Sequence, residues 1–208
     1  MTDTLAESES PRVLGSDAAV RQGGFRLPVW LWLTLWMWAV VGSSVAAHYA
    51  VHGVINGWQF SIAFFLAINI MICWWEISLG ARISLIEHWN HDPAGRTERP
   101  RGSVFMAQAS VRDLASTKLW ARVWSEYCYY DMSYAERRSL GFWLDVGNGW
   151  NTLLPSIFVL VGMTAGMVSP VVLGLVGVII FYQKFYCTTV YFIAYVFNKR
   201  YKGRPLGK

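Results

Sequence analysis

The sequence predicts an all-α polytopic integral membrane protein with four transmembrane helices and a long loop, between the second and third, that carries an amphipathic helix. Three observations predict it. The chain holds four long apolar runs within 208 residues. Only 15% of its residues are charged while 54% are hydrophobic, against roughly a quarter charged in soluble domains. Its basic residues are grouped on one side of those runs.

The first run, residues 27–51, contains no Asp, Glu, Lys or Arg, and the second, residues 58–79, holds Asn69 and Glu76. The third covers about 142–168, and the fourth 169–197 with Lys184 inside it. A bilayer core about 30 Å thick takes roughly 20 helical residues to cross, so each run is long enough. Open strands are excluded because backbone groups in lipid must be satisfied internally. The runs also lack the alternation of barrel strands. A cleavable signal peptide is not expected, because the first run follows a polar leader and exceeds an h-region in length. That leader, residues 1–26, is rich in Ser, Glu, Asp and Gly and reads as disordered.

Orientation follows from Lys and Arg. Seventeen of the 18 fall in the leader, in the 80–141 loop or in the 198–208 tail, and the short opposite loops hold none. The positive-inside rule then puts both termini and the central loop in the cytoplasm, in a bacterial inner membrane or an ER-type membrane. Topology and attraction to anionic membrane lipids account for the net charge of +5. No nucleic-acid partner is expected, since no recognition module is present. Cys73, Cys128 and Cys187 are too scattered for a disulfide frame or a zinc site.

In the central loop Asp92, Pro93, Gly95, Pro100 and Gly102 mark a turn-rich stretch. Ser110 with Asp113 has the spacing of a capping box. Val111, Leu114, Trp120, Val123, Trp124 and Tyr127 then recur at helical spacing. Such a helix either lies in the membrane interface or packs as a lid over the cytoplasmic mouth of the bundle.

Ionisable groups inside spans cost about 2.5 to 3.5 kcal/mol each on insertion scales, so each needs a reason. Glu76 stands roughly 9 Å inside the boundary set by Arg82, from a helical rise of about 1.5 Å per residue. Asn69, Cys73 and Glu76 share a face. So do Asp145, Asn148 and either Asn151 or Thr152 in the third span. Lys184 is flanked by Gln183, Tyr182 and Tyr186. One reading makes Lys184 the salt-bridge partner of Asp145 or Glu76, neutralising charge and fixing helix register. The other makes Glu76 and Asp145 proton donor and acceptor, with Lys184 or Tyr186 orienting a lipophile within aromatic walls. His48 with His52, and His88 with His91, have spacings that suit a metal, but no ligand set is completed around them and no metal or cofactor is expected.

The stretch Trp124-Ser125-Glu126-Tyr127-Cys128-Tyr129-Tyr130-Asp131-Met132-Ser133-Tyr134 resembles the Trp-Lys-Glu-Tyr-x-x-x-Asp-x-x-Tyr loop signature of the emopamil-binding protein family. That family belongs to the EXPERA-domain superfamily, which includes sterol isomerases. In it the signature precedes a helix with an acidic residue and then Pro, positions similar to Asp145 and Pro155 here. Tyr186 to Phe192, with Gln183 upstream, is similar to the family's Tyr-Gly-x-x-x-Tyr-Phe stretch. The chain departs from the pattern at Ile72, where the family has His, at Asp145, where it has Glu, and in lacking a fifth span. The resemblance implies a cytoplasm-facing intramembrane pocket for a sterol-like or isoprenoid molecule, an isomerase pocket without the intact family proton shuttle, in a homodimer. It adds Trp124, Glu126, Tyr127, Asp131, Gln183 and Tyr186 to the substrate-binding candidates beside Asn69, Trp75 and Asn148. Asn69 to Glu76, ending Trp74-Trp75-Glu76, also resembles the Asn-x-x-Trp-Glu motif of integral membrane terpene cyclases. A non-catalytic lipid-binding or partner-stabilising protein is the remaining alternative.

Overall fold

A computed structural model describes residues 24–202. Most of the expected disordered leader and the last six residues of the basic tail lie outside the described residues. Within them the chain is almost entirely helical. Four long helices, α1 (Val29–His52), α2 (Gly57–Ala81), α7 (Leu140–Ala165) and α8 (Pro170–Phe197), carry four short ones between α2 and α7. These are α3 (Ile83–His91), α4 (Pro93–Glu98), α5 (Val111–Leu114) and α6 (Thr117–Tyr127).

Helices α1, α2 and α8 are long and apolar enough to cross a membrane. At 26 residues α7 is as long, but Asp145, Asn148, Asn151, Thr152 and Ser156 make it more polar than the other three. Its boundaries are chemically marked. Ser139 caps the start, accepting from the Phe142 N–H, and Gly166 ends it at φ 66°, the left-handed conformation that glycine adopts without strain. Ser169 caps α8 and Pro170 occupies its first turn. The third helix therefore stops three residues short of the expected 168.

Two further differences arise from local chemistry. Leu27 and Pro28 do not begin the first helix. They form a two-residue antiparallel bridge, β1 (Leu27–Pro28) on β2 (Gln108–Ala109), which ties the start of α1 to the central segment. The expected loop helix is broken into two. The capping box forms, with Ser110 and Asp113 each bonding the other's backbone N–H, but it opens only the single turn of α5. Ser116 then caps α6 afresh. The stretch around Asp92 is helical too, because Asp92 accepts from the Ala94 N–H and Pro93 fits the first turn of α4.

Helix α7 is the hub, packing on α1, α2 and α8, and its interface with α2 is the most extensive in the fold. Gly149 makes this possible: a Cβ there would lie 2.8 Å from the Glu76 Cβ and 2.9 Å from the Ile77 backbone N. An apolar layer of Ala63, Leu66, Val159, Leu160 and Ile180 fills one half of the bundle. A second, aromatic layer joins α2, α3 and α6 to α7 through Leu79, Ile86, Trp89, Trp124, Tyr134 and Phe142. Helix α8 is held along one flank, and Ile180 is its single fully covered side chain among the described residues.

Candidate functional site

The α2–α7 seam is a ladder of polar pairs. Asn69 Nδ2 donates to Ser156 Oγ at 2.7 Å, and Cys73 Sγ lies 3.2 Å from Thr152 Oγ1. Thr152 and Ser156 also donate to the carbonyls one turn earlier, of Asn148 and Thr152. Thr152, not Asn151, turns inward. One turn beyond Cys73, Glu76 stands 4% exposed beside Gly149 and takes the Lys184 ammonium on both carboxylate oxygens, at 3.0 and 3.2 Å. Of the two salt-bridge partners open to Lys184 in the sequence, Glu76 is the one it contacts. Asp145 forms no ion pair among the described residues.

Part of this seam borders a cavity of about 770 Å³ between α2, α6, α7 and α8. Glu76, Asp145 and Lys184 all line it, with Asn69 and Asn148. Trp75, Phe105, Trp124, Tyr127, Tyr134 and Phe192 supply its aromatic wall. The volume lies within the range of about 300 to 1,000 Å³ typical of small-molecule sites. Helix α6 and the short turn at Val104–Met106 roof it. Trp124 Nε1 donates to the Trp75 carbonyl at 2.7 Å, and Trp75 stacks on Trp120 with ring centroids 5.3 Å apart. Glu126 holds the roof by accepting the Val104 N–H at 2.7 Å. Helix α6 lines the cavity through Val123, Trp124, Glu126 and Tyr127.

No protein-family model, curated protein or solved structure matches the chain.

The remaining candidates divide by position. Gln183 donates to Asn148 Oδ1 at 3.2 Å, so it braces a lining residue from behind without lining the cavity itself. Tyr186 is more than half exposed and stacks on Tyr182, away from the cavity. Asp131 is buried outside the cavity. Its carboxylate accepts from Tyr191 Oη at 2.9 Å, from Arg200 Nη1 at 3.3 Å and from the Ser133 N–H at 2.9 Å. It fastens the end of α8 to the turn at Met132–Ala135.

Tyr134, Cys187, Thr188 and Tyr191 line the cavity but were not among the substrate-binding candidates. The last three follow Lys184 at i+3, i+4 and i+7, the spacing of one helical face, which is the sequence signal for them. Tyr134 is 3% exposed, and burial, reinforced by the Asp145 charge nearby, pushes its phenol well up, so it stays protonated and available to donate. Burial also pushes the Tyr127 phenol up.

The histidines lie elsewhere. The rings of His48 and His52 are 4.3 Å apart, and His88 sits between Asp92 and Glu98 at 3.2 Å from each. Glu87 is engaged by Arg137. Among the described residues no three His, Cys, Asp or Glu side chains converge as a metal site would require.

Proposed function

We propose that α7 is a fourth membrane span and that the cavity binds a sterol-like or isoprenoid lipophile as an acid–base isomerase pocket. In this reading both termini and the 80–141 segment are cytoplasmic, in a bacterial inner membrane or ER-type membrane. The observation that carries the reading is the convergence of Glu76, Asp145 and Lys184, from three helices, on a single aromatic-walled cavity. Two carboxylates in different settings, one paired with an ammonium and one not, are what donor and acceptor roles need. Asp145 moves the proton on one face of the bound molecule, Glu76 on another, and Lys184 holds Glu76 in place. Aromatic faces stabilise positive charge that develops in the substrate.

The likeness of residues 124–134 to the EXPERA-domain loop agrees with this reading. Trp124, Glu126, Tyr127 and Tyr134 of that stretch line the cavity, and Asp131 fastens α8 beside it. One observation favours a second reading: the Glu76–Lys184 contact is itself a complete ion pair, as a non-catalytic lipid-binding protein would also need.

Mass spectrometry of organic extracts of the purified protein identifies the bound hydrophobe. Asp145→Asn and Glu76→Gln are then assayed for its turnover. The isomerase reading expects both variants to retain the hydrophobe and lose at least 100-fold in rate. Unchanged product formation in both variants refutes the roles given to the two carboxylates, and a bound hydrophobe that the unaltered protein does not turn over favours the binding protein.

A further inference from the structure

Among the described residues Lys184 is the one ammonium that lines the large cavity. Its side chain is 16% exposed and that of Glu76 5%. The Nζ atom spends its hydrogen bonds on the two Glu76 oxygens, at 3.0 and 3.2 Å, and makes no other among the described residues. A pair that served only to fix helix register would need no empty volume beside it, yet this one borders about 770 Å³. Lysine differs from arginine chiefly in that it can give up its proton and act as a nucleophile when desolvated.

We propose that the cavity takes a lipophile bearing an aldehyde or ketone and that Lys184 forms an imine with it, a reading that rests on the cavity binding a lipophile and names its reactive group. The chemistry balances within the site. Lys184 passes one proton to Glu76, and the freed lone pair of Nζ adds to the carbonyl carbon. Glu76 returns that proton to the oxygen to give the carbinolamine, Asp145 takes the second proton from Nζ and passes it to the same oxygen, and the oxygen leaves as one water while the C=N bond forms, so both carboxylates end as they began. Nothing is oxidised or reduced. The protonated imine carries the same positive charge as the ammonium it replaces, so Glu76 keeps its counter-ion and the buried pair survives the reaction. Asp145, outside any ion pair among the described residues and on the same wall, is the second carboxylate that proton traffic requires. Thr188 lies one turn beyond Lys184 on the same cavity face, where its hydroxyl is placed to steady the departing oxygen.

The experiment uses the full chain in detergent micelles with farnesal, a C15 isoprenoid aldehyde, followed by borohydride reduction and peptide mass spectrometry. Lys184 is expected to carry the reduced adduct at least tenfold above Lys118 and Lys199. Prior addition of farnesol, which has the same chain and no carbonyl, is expected to suppress it by a similar factor. Lys184→Arg is expected to bind farnesol, read by tryptophan quenching, without an adduct at that position. Labelling of Lys184 no stronger than that of Lys118 and Lys199, with farnesol quenching intact, overturns the imine and leaves the lipophile cavity standing. Absence of quenching by both farnesol and farnesal overturns the two together.

Discussion

Two glycines on α7, two residues apart, should respond to the same substitution with opposite signs. Gly149 faces α2 so closely that an added Cβ would lie 2.8 Å from the Glu76 Cβ, 2.9 Å from the Ile77 N and 3.0 Å from the Cys73 carbonyl oxygen. Two of those atoms are backbone and cannot rotate away. Carbon atoms in contact settle at about 3.5 Å or more, so Gly149→Ala must drive the helices apart by about 0.7 Å. That displacement falls on the ladder, where the Asn69–Ser156 bond is 2.7 Å and the Cys73–Thr152 contact 3.2 Å. Overpacking costs about 1 to 3 kcal/mol, and interhelical polar pairs in membranes add about 0.6 kcal/mol each when lost. The expected destabilisation is about 2 to 4 kcal/mol. At Gly147 an added Cβ meets nothing within 4 Å, and Gly147→Ala should stabilise by up to about 1 kcal/mol through helix propensity. Equilibrium unfolding in mixed micelles with increasing dodecyl sulfate measures both. Equal effects of the two substitutions, or a loss below about 0.5 kcal/mol at Gly149, would refute the close-approach argument.

Three other outcomes follow from the same contacts. Lys184→Met leaves the Glu76 carboxylate buried without its partner and should cost about 3 to 5 kcal/mol; adding Glu76→Gln should recover most of it in the same unfolding assay. Asp131→Ala removes a hydroxyl bond from Tyr191 of α8, a charge-assisted bond from Arg200 just past its end and a turn cap, and amide exchange over residues 191–198 should accelerate at least tenfold while exchange in α2 is unchanged. Asp113 has its carboxyl held below the usual range, first by the Ser110 backbone N–H. Its capping contribution of about 1 kcal/mol should therefore be complete above its unfolded pKa of about 3.9 and fade as pH falls through the lower folded value. Amide exchange at residues 111–115, compared at pH 5 and pH 3, reads this, and Asp113→Asn, which removes the titrating carboxyl, should abolish the pH dependence.

Apolar run length made the four long helices legible in the sequence, while the serine caps that set the starts of the last two were not read from it. Ser139 and Ser169 stand where α7 and α8 begin, and the capping pair Ser110–Asp113 was readable from its spacing alone. The split between α5 and α6 was harder, because Ser116 is a second cap inside an unbroken amphipathic pattern and periodicity does not register such a restart. The β1–β2 bridge is a pairing across some 80 positions, which no local pattern encodes. At the site, Glu76 and Lys184 stood out because charge in an apolar run is rare. That Lys184 reaches Glu76, while Asp145 stays outside any ion pair among the described residues, depends on how α8 leans against α7, which the apolar surfaces of both helices leave undetermined in one dimension. Tyr186, adjacent in sequence to that site, faces away because two positions advance a helix by more than half a turn.

Helix α8 is gripped by α7 along one flank and by Asp131 near its end, and it meets α2 chiefly through the Phe65–Phe181 stack and the Glu76–Lys184 bridge. In the proposed membrane setting, the hydrocarbon of the bilayer forms part of the chamber's boundary. A molecule dissolved in the membrane is already concentrated there, so occupancy follows its mole fraction among the lipids and not its scarcity in water. Adding inert lipid at constant ligand should then empty the site by surface dilution, while adding buffer should leave it filled.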